Sequence, residues 1–356
     1  MPDIQRPFRL LVVAGLTGLL FTSWSTIASA QTPAKKKATA KVATPAKPAA
    51  NTTVSSRTSL ARAATAARAR RAAAARRAQQ VLAEAQTPRY KVDALGNMVP
   101  DVRAAAAIIY NPATGDVLWE ANSHDQRSIA SLTKIMTAVT FIADDPDLTE
   151  RVTVTRADMR NASTTHIRAG DVLSYSDLLH LTLIASDNAA ARVLARTSEG
   201  GTAAFVTRMN DMAVHLGLTN SHYADPSGLD ANNVSSAYDI SHLIAFATSD
   251  ERLGPIMRTA EFDVKANSRS FPIHTTNRLL GTDVDVVAGK TGFITKAGYC
   301  LATLLQVPQG SQVAVVVLGA ASSTMRFWEA RHLFNWASSR ADGLLAAAAP
   351  LVPHQD

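Results

Sequence analysis

The chain has a single cysteine, Cys300, in 356 residues. No intrachain disulfide is open to it, so its stability must come from a buried core in whatever compartment it works. Cys300 lies in the apolar stretch GYCLATLL and reads as a small buried hydrophobe, not a nucleophile. Histidine is thinly spread: nine residues, none paired at i, i+4 and none beside the cysteine, which excludes the usual zinc spacings and leaves no metal or cofactor expected. Acidic residues nearly vanish between positions 31 and 91, where 14 Lys and Arg meet only Glu84. Large apolar residues are also scarce there, and KKKATAKVATPAKPAANTTVSS cannot bury enough surface to offset the entropy of ordering.

Charge is therefore divided along the chain. The net +7 combines +1 over residues 1–30 and +13 over residues 31–91 with −7 over residues 92–356. Residues 31–100 read as a basic linker, largely disordered, with a solvated helix over 59–86 where Ala, Arg and Gln dominate and Arg is spread round the wheel. Basic tails of this kind also occur on nucleic-acid binders. No nucleic acid is expected as a partner, because FRLLVVAGLTGLLFTSWSTIASA has the layout of an export signal: Arg6 and Arg9, an apolar run, then small residues ending at Ala30. Cleavage after Ala30 and a periplasmic location follow, with an uncleaved anchor as the other reading. Outside the cytoplasm, residues 31–91 would meet an anionic envelope surface or serve only as a spacer.

From residue 101 the texture is that of a packed domain. VRAAAAIIYNPATGDVLWEAN reads as a hairpin; helical patterns follow over 131–143, 175–184, 187–197, 202–216 and 239–248; two apolar strands and an amphipathic helix close the domain near 340. Strands at both ends around a helical block predict an α+β fold, an antiparallel sheet made by terminal segments with an inserted helical lobe. Residues 341–356 read as a disordered tail.

Chemistry concentrates at three places. Ser131 could cap a helix whose apolar residues recur at Leu132, Ile135, Met136 and Val139, but Lys134 then stands where Glu or Gln is usual. Near a positive helix end and partly desolvated, a lysine is favoured as the neutral amine, and a neutral amine beside a hydroxyl is a base beside a nucleophile. On the helix wheel Lys134 could equally reach water. Ser186, Asp187 and Asn188 form a second group, which also reads as a helix N-cap. Lys290, Thr291 and Gly292 follow an apolar strand, where Lys290 and Thr291 can receive a carboxylate and the glycine permits close backbone approach.

The order Ser-x-x-Lys, Ser-x-Asn, Lys-Thr-Gly is the signature shared by penicillin-binding proteins and class A β-lactamases. With PATGDVLWEANSHDQRSIASLTKIMTA and YADPSGLD, residues 101–340 resemble the serine D-alanyl-D-alanine peptidases, the low-molecular-mass penicillin-binding proteins. The resemblance implies a β-lactamase/transpeptidase-like fold, with Ser131 as acylating nucleophile, Lys134 as its base, and Ser186 with Asn188 relaying protons and holding the substrate amide. It implies that Lys290 and Thr291 bind the substrate carboxylate, and that the N–H groups of Ser131 and Phe293, beside Gly292, form the oxyanion hole. Peptidoglycan stem peptides would be the substrate and β-lactams the inhibitors.

Two rivals stay open, a β-lactamase-like hydrolase and a non-catalytic penicillin-sensing or wall-binding module. No glutamate lies between Glu199 and Glu251 to serve class A deacylation, and none of the three motifs is broken. The AGYCL stretch and the short segment after Arg340 resemble the endopeptidase branch more than the carboxypeptidases.

Overall fold

The computed structural model describes residues 53–267, 269–308 and 310–340. The expected export signal, residues 31–52 of the expected linker and the expected tail at 341–356 lie outside them. Among the described residues no helix is long and apolar enough to cross a membrane.

Helix α1, Thr53–Gln86, begins before the expected 59. It is followed by a hairpin of β1, Tyr90–Val92, and β2, Met98–Pro100, in a stretch the composition assigned to the linker. The Asp93 carboxylate closes that turn, accepting the N–H groups of Leu95 and Asn97 at 2.9 and 2.8 Å. Strands β3, Ala106–Asn111, and β4, Asp116–Ala121, form the next hairpin. After β5, Arg127–Ser128, a 3-10 turn over Ala130–Leu132 leads into α2, Thr133–Ala143.

The helical lobe continues through β6, Arg151–Thr153, α3, Arg156–Met159, β7, Val172–Ser174, and α4, Tyr175–Leu183. Next come α5, Asn188–Thr197, α6, Gly201–His215, β8, Val234–Ser235, and α7, Ala237–Ser249. A short α8, Gly254–Met257, precedes the hairpin of β9, Glu261–Ala266, and β10, Arg269–His274. Strands β11, Val286–Ile294, β12, Gly298–Gln306, and β13, Gln312–Ala320, then lead to α9, Ser323–Ser338.

The main sheet is antiparallel with order β11-β12-β13-β3-β4, so the two ends of the domain meet at the β13–β3 pair, where Val315 faces Ile109 and Val317 faces Ala107. Both of its faces are covered. Ile108, Ala302, Leu304, Val316 and Leu318 pack into the helical lobe, while Ile109, Leu301, Leu305, Val315 and Val317 pack under α9 against Leu333 and Phe334. That is why VAVVVL reads as an unbroken apolar run and CLATLL as one interrupted only by Thr303, instead of alternating. Cys300 is free and buried on the lobe side, and burial raises its thiol to about 11.

One buried acid ties the covering helix to the sheet. Glu329 of α9 accepts the N–H groups of Arg103 and Ala104 at 2.8 and 2.9 Å, just before β3. Glu329→Ala leaves both donors without that acceptor, and urea unfolding is expected to show a loss of about 2–3 kcal/mol. Glu329→Gln, which keeps one acceptor oxygen, should lose less. Equal losses would contradict this account.

Candidate active site

Helix α2 is buried along nearly its whole length, Thr133 through Ile142, which fixes its first turn rigidly inside the lobe. The expected cap is not there. The residue at the cap position is Leu132, without a side-chain bond, and Ser131 belongs to the preceding 3-10 turn. Ala130 holds a left-handed φ of 50°, and Thr133 Oγ1 donates to its carbonyl at 2.7 Å. Freed from capping, Ser131 Oγ lies 3.0 Å from Lys134 Nζ. Lys134 is still in the first turn of α2, at its second residue.

Lys134 does not reach water; it is fully buried. Its Nζ also donates to Asn188 Oδ1 at 2.7 Å and to the Ser227 carbonyl. Burial brings its pKa down to about 7, against the opposing charges of Asp187 and Asp225 and with a further push down from Arg192. Asn188 is the first residue of α5, and its Nδ2 donates to the Ala162 carbonyl at 2.7 Å, so its Oδ1 is aimed at Lys134 from behind. Asp187 is the N-cap of α5, its Oδ1 accepting Ala190 N–H at 3.0 Å. Its other oxygen accepts the backbone N–H of His166 at 2.6 Å and lies 3.3 Å from His166 Nδ1, a contact that raises the imidazole pKa.

Ser186 precedes that cap with a left-handed φ of 58°, a conformation that costs about 1–2 kcal/mol outside glycine. Its Oγ accepts from Lys290 Nζ at 2.7 Å. Lys290, on β11, is buried, and its pKa is pushed well below the usual lysine range by desolvation first, then by the charges of Lys134 and Arg326. Thr291 Oγ1 is bonded to Thr276 Oγ1 at 2.7 Å. Gly292 does permit a close approach, but of the Ser131 turn itself: a Cβ there would fall 2.8 Å from the Ile129 carbonyl and 3.1 Å from Ser131 N. Phe293, the next residue, is half-exposed and stacked on Tyr299 at 4.2 Å.

Thus the six polar residues of the three motifs converge in two linked sets, Ser131–Lys134–Asn188 and Ser186–Lys290, with Thr291 alongside Lys290 in β11. Sequence reasoning missed the groups that hold them. Asp225 gathers its own loop, accepting N–H from Ser227, Gly228 and Asp230 at 2.5, 2.9 and 2.6 Å and Nδ2–H of Asn233 at 2.8 Å. Burial raises its pKa, but these hydrogen bonds together bring the carboxyl below its ordinary value. That loop delivers the Ser227 carbonyl to Lys134. Arg326 on α9 is buried behind β11 and donates to the Gly292 carbonyl at 3.0 Å, with no acidic partner among the described residues.

The fold matches solved enzymes. The Streptomyces K15 DD-transpeptidase superposes with a TM-score of 0.65 at 26% identity, covering 67% of this chain and 98% of that one. An antiparallel sheet closed by chain ends, with this helical lobe inserted, defines the DD-peptidase and transpeptidase class with a β-lactamase-like fold. Residues 93–322 match the family model described as D-alanyl-D-alanine carboxypeptidase, peptidase S11. The chain belongs to that family. Its relatives include the D-alanyl-D-alanine endopeptidase of Pseudomonas aeruginosa, 31% identical over 255 residues, 70% of this chain and 82% of that one. The D-alanyl-D-alanine carboxypeptidase DacC of Escherichia coli is 34% identical over 251 residues, 67% of this chain and 62% of that one.

Proposed function

We propose that this chain is a penicillin-sensitive serine DD-peptidase that hydrolyses peptidoglycan stem peptides through an acyl-enzyme on Ser131. The observation that carries the reading is the hydrogen-bond count at Lys134. Two of its three neighbours, Asn188 Oδ1 and the Ser227 carbonyl, can only accept, so a neutral amine spends both N–H groups on them and turns its lone pair to the Ser131 hydroxyl.

In this mechanism Ser131 Oγ attacks the D-alanyl carbonyl carbon of the peptide bond to be cut as its proton passes to Lys134. The N–H groups of Ser131 and Phe293 stabilise the developing oxyanion, an effect commonly worth a few kcal/mol. The C–N bond breaks, the leaving amine takes a proton relayed through Ser186, and water then cleaves the ester. Asn188 holds the substrate amide. Lys290 and Thr291 receive the substrate carboxylate, whose charge favours the protonated form of Lys290 that burial disfavours. The lack of a glutamate between Glu199 and Glu251 supports slow deacylation, and hence trapping by β-lactams instead of their turnover.

Cross-links are the favoured bond, on the fuller coverage of the endopeptidase relative, and cell-wall remodelling in the periplasm is the setting, with the basic segment 31–91 meeting an anionic envelope surface. Digestion of purified peptidoglycan fragments is the test. Conversion of cross-linked dimers to monomers is the expected result, whereas loss of one alanine residue per stem would mean carboxypeptidase action. A labelled penicillin should add to the peptide containing Ser131. An adduct elsewhere, or intact fragments after prolonged incubation, would overturn the reading.

A further inference from the structure

Helix α1 has an unusual surface. Arg68, Arg70, Arg71, Arg76 and Arg77 are all exposed, and among the described residues none has an ion-pair or hydrogen-bond partner. At 1.5 Å per residue they occupy about 14 Å of helix. Their positions on the wheel are spread round the axis, and alanines fill the spaces between them. A helix that sits on a lipid surface needs an apolar face to sink and a cationic face to present. This one has neither. Cations on every side suit a partner that surrounds the helix, a charged polymer network.

The far end of the helix is rooted. Ala85 is buried, and its carbonyl accepts from His332 Nε2 of α9 at 2.9 Å. Helix α9 covers the sheet face opposite the helical lobe, so the helix that carries the arginines is rooted on the face of the sheet that does not bear Ser131 and Lys134. A polymer held there leaves the cleft open.

We propose that α1 is a tether for peptidoglycan itself, binding the carboxylates of its stem peptides. This rests on the DD-peptidase reading, which supplies the polymer, and adds a second contact with it. Residues 92–356 carry −7, so the catalytic domain alone is repelled by a network of carboxylates. The arginines offset that repulsion. They keep the enzyme on the polymer between cleavage events, through contacts that salt screens over about 8–10 Å.

The test uses the full chain with its active site blocked by penicillin, so that substrate binding in the cleft does not contribute. Sedimentation with insoluble peptidoglycan is expected at about 20 mM salt and should fall at least about tenfold at about 0.3 M. Replacing the five arginines by glutamine, which keeps helix propensity, should cause a similar loss at low salt while the rate of penicillin labelling is unchanged. Amidating the carboxylates of the peptidoglycan should abolish retention of the unaltered chain. Retention on amidated polymer, full retention of the five-glutamine variant, or stronger binding to phosphatidylglycerol vesicles than to peptidoglycan would each overturn the tether. Failure of penicillin labelling would instead count against the DD-peptidase reading, because the sedimentation assay also runs without a blocked site.

Discussion

Lys134→Met is expected to reduce the second-order rate of penicillin acylation by about 10²–10⁴, the range that removal of a positioned general base produces. Methionine matches the length of the lysine stem and is at home in a buried site, so the chain should still fold, although Asn188 Oδ1 and the Ser227 carbonyl lose a donor and the thermal melt should fall modestly. Lys134→Arg is the sharper variant. A guanidinium keeps the charge but does not give up its proton at these pH values, and it should be as inactive as methionine. If Lys134→Arg kept more than about a tenth of the rate, proton abstraction by this residue would be refuted. Ser131→Ala, with no oxygen to acylate, gives the floor for the comparison.

The same lysine sets two pH dependences. With its pKa at about 7, acylation should rise with pH up to about 7 and then level off, as the neutral amine replaces the ammonium. Stability follows from the contrast with the unfolded chain, where lysine has its ordinary pKa of 10.5. Between these two values the unfolded chain binds more protons, so this group makes the fold more stable as pH rises through that window, and contributes no slope below it. Urea unfolding of the native chain and of Lys134→Met, compared from pH 6 to about 9, isolates the effect. Parallel curves would show that Lys134 titrates normally.

Much of this site was legible because its chemistry is carried by short motifs whose side chains are themselves the reacting groups. Ser131, Lys134, Asn188 and Lys290 could be named before any coordinate was known. The capping error at Ser131 has a different origin. The pattern Leu132, Ile135, Met136, Val139 reports helix periodicity correctly, but the left-handed Ala130 and the 3-10 turn move the true start to Thr133. Nothing local in the sequence marks that shift. Ser227 was out of reach for a related reason: what it gives the site is a backbone carbonyl, which has no residue-type signature, brought 93 positions along the chain to Lys134. YADPSGLD carried part of the family resemblance. It did not show which of its carbonyls would face the lysine. Arg326 was hidden because an arginine in an amphipathic closing helix is normally solvated.

Gly228→Ala should be nearly as damaging as loss of the base, without touching a reacting group. Gly228 has a left-handed φ of 79°, and a Cβ there would lie 2.1 Å from the Ala130 carbonyl oxygen and 2.9 Å from Ser131 N. Both neighbours are backbone, so no side chain can swing away. Gly292 closes on the same turn from β11, where an added Cβ would fall 2.8 Å from the Ile129 carbonyl. Held between two glycines, the turn has nowhere to retreat, and the nucleophile must shift. A displacement near 1 Å costs about 10² in rate, so acylation should fall at least about a hundredfold. The backbone strain of a non-glycine residue adds about 1–2 kcal/mol of lost stability. Gly170→Ala separates the two effects, since Gly170 has a φ of 91° but no atom within 4 Å of an added Cβ. It should lower the melt and leave acylation intact. If both variants lowered the melt equally and neither slowed acylation, close packing around Ser131 would not be what positions it.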